Sequence, residues 1–424
     1  MTYTAVVSIV PTVILALLTV QDPIWSREPL NYGTRPTQDC VARLAERMEA
    51  GESVLRRNEA GSFLPGLLEA LEVAPTTQTT VFSRTSFQAD LITTSRPRAL
   101  YFSDEVYVGF VPNSSVLELT AVDPLEGLVF YTLQDGPDGP RILREVDKCL
   151  QCHAPASNAK LPANLLRSVH TQDDGLPLLR AGSRMVTHST DYAERWGGWY
   201  VTGQTGDMAH LGNRRLGETE RLQPEPTQHD TLAGLCDVSP YPVPTSDIVA
   251  LLVLEHQAHM HTVLCWAGYE ARRALHYKDA LNRDLELPPG TPVRSTRLRL
   301  EGAARKVVDA LLLVGEPPLP NAVGEGSAFV PPFLATARRD KSGRSLRDLE
   351  LKQRLFRYPL SYLIHSDVFA GLPEPLLEPI WLKLWLVLHG VLDGPDAPQV
   401  GEQDRKAILE ILTETFEGSL PDYW

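Results

Sequence analysis

Cysteine and methionine are scarce, five of each in 424 residues, and thiols at that density lie far below the roughly 8–10% of a disulfide scaffold. Basic charge is short as well. Forty Lys and Arg stand against 53 Asp and Glu, a formal net charge of −13, which argues against nucleic acid or an anionic membrane surface as the main partner of the fold. The sequence has no repeat at a period of 20–50 residues and no H-E-x-x-H, G-x-S-x-G or P-loop. Beyond the N-terminus no bilayer-spanning run is read; the apolar stretch 380–388 carries Lys383 and follows Glu378 and Pro379. Disorder is excluded too, because 43% hydrophobic and 22% charged residues suffice to bury sizeable cores. Length sets a prior near three domains, with two of unequal size as the other arrangement.

One apolar run stands at the start. Residues 5–20 (AVVSIVPTVILALLTV) are uncharged and pass at once into Gln21-Asp22-Pro23. As a helix such a run spans about 24 Å, short of the roughly 30 Å hydrocarbon layer. Residues 1–22 are therefore expected to be a signal peptide, with an uncleaved membrane anchor or a buried element as the alternatives. No Lys or Arg precedes the run and no A-x-A site follows it.

The pattern downstream predicts an α+β fold, an antiparallel sheet domain followed by an all-helical C-terminal domain. Residues 23–75 form an N-terminal helical segment with short helices at 39–50 and 65–71, where apolar residues recur three and four apart. From about Val81 the period becomes two. Strands are expected at 99–102, 106–110, 116–122 and 128–133, separated by Asp104, Pro112-Asn113 and Pro124, with further ones at 165–169, 184–187 and 199–202. The sheet domain is bounded at 76–205, and 206–245, with five prolines between 224 and 244, reads as an ordered connection or linker.

Residues 246–424 read as helical. Ser246 is expected to cap a helix reaching about Leu281, a second helix occupies 295–313, and 317–332 is a Pro-rich loop. Ser345 and Asp348 form an S-x-x-D capping box for a helix through Leu355. Pro379 is placed in a first turn before 381–388, and a last helix at 404–416 is closed by Gly418. Residues 338–347 (RRDKSGRSLR) read as a solvated loop and helix start.

Two of the five cysteines stand together. Cys149-Leu-Gln-Cys152-His153 reads C-x-x-C-H, the attachment pattern of c-type haem. Random placement of 5 Cys and 11 His in 424 positions gives only about 0.0015 such runs. Two thiols on one turn can each add across a haem vinyl group, and the adjacent imidazole then falls under the iron as proximal ligand. The competing readings are a redox dithiol, opposed by Pro155 and Pro162 where a helix should follow, and half a zinc site, for which only His256 and His261 offer the remaining ligands. A di-haem peroxidase would need a second C-x-x-C-H, and the chain has none.

The surroundings of the motif resemble a family of bacterial single-haem c-type proteins. The residues that carry the likeness are Arg98-Ala-Leu-Tyr-Phe102, Val106-Tyr-Val-Gly109, Cys149-Leu-Gln-Cys152-His153, Arg195-Trp-Gly-Gly-Trp-Tyr-Val-Thr-Gly203, Leu254-Glu-His-Gln257 and Leu420-Pro-Asp-Tyr-Trp424. The resemblance implies one covalent haem c and brings no established reaction. A second likeness is to sensor domains in which one c-type haem sits on a PAS-like antiparallel sheet.

For the sixth position on the iron the candidates are Met260 and His256, one turn apart on the long helix. A satisfied core histidine is the competing account of His256. Met185, His188, Met208 and His210 are local alternatives, as is an open site. Arg141, Arg144, Lys148, Arg167 and Arg195 are candidate partners for haem propionates against ordinary surface charge. Trp196, Trp199 and Tyr200 are read as sheet core or as a wall for the ring. Cys40, Cys236 and Cys265 are left over; two of them can pair, and sequence does not say which.

The expected function is an exported, periplasmic or otherwise extracytoplasmic single-haem cytochrome that passes electrons to a redox partner protein. A haem-based sensory or ligand-binding module and a haem-dependent oxidoreductase are the alternatives.

Overall fold

The computed structural model describes residues 22–137, 139–217, 221–392 and 398–424. The expected leader at 1–22 lies, but for Asp22, outside them. The chain is α+β: a seven-stranded sheet followed by a helical C-terminal region. The sheet comprises β1 (Thr79–Val81), β2 (Arg98–Phe102), β3 (Val106–Phe110), β4 (Val116–Asp123), β5 (Gly127–Gly136), β6 (Gly139–Arg144) and β9 (Trp199–Tyr200). Its order is β6-β5-β4-β3-β2-β1-β9, with every pair antiparallel. Six strands thus form a meander, and β9 returns to cover the free side of β1. A separate ribbon pairs β7 (Arg167–Val169) with β8 (Ser183–Met185).

Alternation along the strands gives the sheet two different faces. Tyr101, Val106, Val108, Leu119 and Tyr131 point to the side covered by α1 (Cys40–Glu49) and α2 (Leu64–Ala70). Phe102, Tyr107, Val122, Leu128 and Phe130 point to the other side and join one large core with the helical region. On that second face the register aligns Phe102, Tyr107, Thr120 and Phe130 in one row and Leu100, Gly109, Glu118 and Thr132 in the next.

The motif lies on α3 (Asp147–His153), directly after β6. The longest helix, α4 (Ile248–Asp284), is about 55 Å at 1.5 Å per residue. It crosses the second face: Gln257 reaches Ser103 at the β2–β3 turn, His261 reaches Tyr107, and Tyr269 reaches Glu126 at the β4–β5 turn. By length and composition α4 could span a bilayer, which sequence reading had excluded for every segment but the leader. Yet 89% of its most apolar window is buried inside the protein, so its apolarity serves the core. Residues 206–245 have little regular structure but bury Met208, His210, Leu232 and Tyr241.

Several local expectations are corrected. Asp247, not Ser246, caps α4, accepting from the N–H groups of Val249 and Ala250 at 2.8 and 3.1 Å. Ser246 sits one residue further out, accepts the Thr80 N–H and donates to the Tyr200 carbonyl, fastening the helix start to β1 and β9. The Ser345 N–H does bond the Asp348 carboxylate, but no helix follows. Leu349 bridges back to Phe356 instead, and Leu346, Leu355 and Phe356 are buried. In the expected solvated stretch Arg347 is buried, with its guanidinium over Phe333 and Tyr362 and paired with Asp104.

The remaining helices are α5 (Arg294–Leu311), α6 (Val330–Ala335), α7 (Asp367–Ala370), α8 (Glu374–Leu388) and α9 (Glu402–Thr415). The loop expected at 317–332 ends in the first turn of α6. Helix α8 starts at Glu374 with Pro375 in its first turn, so Pro379 lies inside the helix. Helix α9 is capped at Phe416 rather than closed by Gly418.

Candidate haem-attachment site

On a helix, positions i, i+3 and i+4 share one side, so α3 presents Cys149, Cys152 and His153 together. The helix is anchored by buried Leu150, with Val146 and Cys149 packed on the main core. It ends at Ala154 before Pro155. Both thiols are free; Cys149 is half-buried and Cys152 exposed. Burial pushes the Cys149 thiol up to about 12, with Glu145 and Glu118 adding to the effect and Lys148 opposing it. A thiol so protonated is a poor nucleophile at neutral pH, the reverse of what a redox dithiol needs.

The His153 Nδ1 lies 2.9 Å from the Ala163 carbonyl oxygen. A carbonyl only accepts, so Nδ1 carries the proton and Nε2 keeps its lone pair, the tautomer a metal-bound imidazole requires. The Ala163 N–H donates back to the His153 carbonyl at 2.8 Å. The imidazole packs on Phe130 with ring centroids 4.6 Å apart. Burial lowers the His153 pKa below its usual value; the bond to Ala163 opposes this, nearby Arg98 lowers it further and Glu118 raises it. The ring is therefore neutral at pH 7 and suited to ligate.

The loop after the motif is fixed at both ends. Asn158 donates to the carbonyls of Leu161 and Pro162, and the Thr262 hydroxyl on α4 accepts the Asn164 N–H and donates to its carbonyl, each at 3.0 Å. These features fit a covalently held haem: two unpaired thiols on one turn, and an imidazole with its outer nitrogen fixed and its inner lone pair free.

The sixth-ligand candidates are placed elsewhere in the core. His256 is 1% exposed, and its Nε2 is 2.8 Å from the Ser361 hydroxyl, with rings of Phe356, Tyr362 and His188 around it. Met260 and Met208 are fully buried. The His210 Nδ1 accepts the Gly212 N–H, and the His188 Nε2 donates to the Val314 carbonyl. Met185 ends β8. The Leu254-Glu-His-Gln257 run is explained by three separate partners: Glu255 takes Arg195 and the Trp196 indole, His256 takes Ser361, and Gln257 takes Ser103 and Tyr362.

Among the propionate candidates Arg195 is wholly engaged by Glu255 and the carbonyls of His188 and Thr190. Arg144 pairs with Glu126 and the Arg35 carbonyl, Arg167 donates to Ser183, Lys148 lies over the Phe87 ring, and Arg141 is exposed on β6. Trp196, Trp199 and Tyr200 are buried, and the first two belong to the main core.

Sequence reasoning missed two groups. His261, considered only for zinc, is fully buried with Nδ1 2.7 Å from the Tyr107 hydroxyl and an Nε2 without a partner. Arg98 lies across Gly109 and pairs with Glu118 beside His153. The available signal was a strand glycine, which marks close approach of another group. Among the described residues no three His, Cys, Asp or Glu side chains form a metal-holding group, and Cys40, Cys236 and Cys265 are all free. A cavity of about 880 Å³ opens between α1, the β2–β3 turn and α6, lined by Cys40, Phe102, Glu105, Phe333 and Arg347 among others. No protein family, curated protein or solved structure matches this chain.

Proposed function

We propose that this chain is an exported single-haem c-type cytochrome, with Cys149 and Cys152 holding the haem through thioethers and His153 ligating its iron. The observation that carries the reading is the C-x-x-C-H run on one helical turn with the His153 Nδ1–H committed to the Ala163 carbonyl. When bound, the haem supplies a one-electron ferric/ferrous couple. The chain's own groups orient and shield it: Ala163 fixes the imidazole, Phe130 backs it, and the Asn164–Thr262 bonds hold the loop against α4. Electron transfer to a redox partner protein is the proposed role, in an extracytoplasmic compartment, since c-type attachment in bacteria takes place outside the cytoplasm. The haem domain at 76–205 and its likeness to PAS-like sensor sheets belong to this reading. So does the alternative of a sensory or ligand-binding module, which strands on both sides of the motif favour.

The test is protein matured with the haem-attachment machinery. Acid-acetone extraction should leave the colour on the polypeptide, with a c-type pyridine haemochrome at one haem per chain. Extractable colour, or unchanged haem content in Cys149→Ala/Cys152→Ala, would refute it. Six-coordinate low-spin iron in both oxidation states then favours electron transfer, and five-coordinate or readily displaced iron favours sensing.

A further inference from the structure

Most of the second sheet face is apolar, but beside His153 it is not. Arg98 on β2 extends over Gly109 of the neighbouring strand, where an added Cβ would stand 2.5 Å from one guanidinium nitrogen and 3.0 Å from Nε. The missing side chain is therefore what lets a cation lie flat on the sheet. Glu118, the cross-strand partner of Gly109, forms an ion pair with Arg98. The Glu118 carboxylate is held in turn by the Ser86 hydroxyl at 2.9 Å and the Gln88 amide at 2.8 Å. Both members are mostly enclosed, 21% and 15% exposed. The Arg98 Nε is buried without any acceptor. A buried donor left unpaired is costly, and an arginine with a vacant edge suits a carboxylate.

The placement gives that edge a direction. Cys149 lies beyond β6 near Glu145, His153 stands over Phe130 on β5, Glu118 is on β4, and the guanidinium covers Gly109 on β3. At about 4.8 Å per strand the cation is roughly 10 Å from β5, on the side of His153 away from Cys149. The vinyl and propionate groups of a haem occupy opposite edges of the macrocycle. We propose that Arg98, laid on Gly109 and tethered by Glu118, is the positioning residue that binds the propionate edge of the haem and sets its charge environment. The inference rests on the haem reading above.

One positive charge fewer near the iron favours the ferric state, and one negative charge fewer favours the ferrous state. At an effective dielectric near 20, a unit charge about 10 Å away changes such an equilibrium roughly ten- to twentyfold. Redox titration of matured Arg98→Leu, Arg98→Lys and Glu118→Gln against wild type tests it. Arg98→Leu should keep covalent haem and shift the equilibrium toward ferric by that factor, Arg98→Lys should recover most of the loss, and Glu118→Gln should shift it the opposite way. An unchanged equilibrium in Arg98→Leu and Glu118→Gln, with only a lower thermal midpoint, makes the pair a structural strut and overturns the inference while the haem reading stands. If Arg98→Leu does not accumulate, an unchanged equilibrium in Glu118→Gln overturns it alone. Wild-type protein without covalent haem ends both.

Discussion

Glu255 carries the most exposed test of how the two halves are joined, although it is itself almost fully buried. Its carboxylate is 2.8 Å from an Arg195 nitrogen and 2.8 Å from the Trp196 indole, and the two charged side chains are 2% and 3% exposed. Arg195 belongs to the segment just before β9, whereas Glu255 is on α4, so the pair spans the sheet and the helical region. Changing Glu255→Gln keeps the size and an acceptor for Trp196 but leaves a guanidinium buried without its counter-ion. Only the His188 and Thr190 carbonyls and the Tyr192 ring at 4.4 Å would remain around it. Removing one partner of such a pair typically costs about 3–5 kcal/mol, against roughly 0–1 kcal/mol for an exposed pair. The assay is urea unfolding of the apoprotein, followed both by Trp fluorescence and by far-UV circular dichroism. The variant should lose about 3–5 kcal/mol, with both probes still moving together. A loss below about 1 kcal/mol, or a sheet and helices that unfold in separate steps in the wild type, would refute the reasoning.

Burial holds His210 and His365 at about 4 and His259 and His261 at about 3, against an ordinary value of 6.5. The unfolded chain therefore binds more protons across that window. The stability these groups contribute is present above pH 6.5 and is lost as pH falls toward 4 and 3; an apoprotein unfolding midpoint flat between pH 7 and 5 would contradict this. Because His256 is already bonded to Ser361, matured His256→Ala should keep the wild-type iron spin state and lose about 2 kcal/mol or more from the buried cavity and the unpaired hydroxyl. A change from low to high spin would instead make His256 the sixth ligand.

What could be read from sequence follows from how local the cause was. Strands β2 to β5 were legible because a two-residue period with turn formers between is written along the chain. Strand β1, Thr79–Val81, was not: it is three residues long and two of them are buried threonines in the sheet interior. Strand β6 opens with Gly139-Pro140 and lies at the sheet edge, where a proline costs no ladder bond. The Ser345–Asp348 bond formed as its spacing implied, but burial of Leu346, Leu355 and Phe356 chose a turn over a helix. The triad of Cys149, Cys152 and His153 was legible because one helical turn contains all of it. Arg98 beside Gly109 and His261 beside Tyr107 were not, since each pair meets only after strands have registered or α4 has crossed the sheet.

That difference between local and assembled features bears on what the helical half does. Three consecutive residues of α4 reach three distinct places: Glu255 the segment before β9, His256 the Ser361 turn and Gln257 the β2–β3 turn. One turn on, Thr262 grips Asn164 at the end of the motif loop through both of its backbone polar groups. A helix whose polar groups each satisfy a different neighbour cannot shift along or about its axis without stranding several of them at once, and each stranded buried group costs about 1–3 kcal/mol. The same contacts that fix α4 fix the carbonyl of Ala163, the residue before Asn164, and with it the His153 ring. The C-terminal helices therefore act on the attachment site as a rigid backing, through the one helix that touches the loop holding the imidazole.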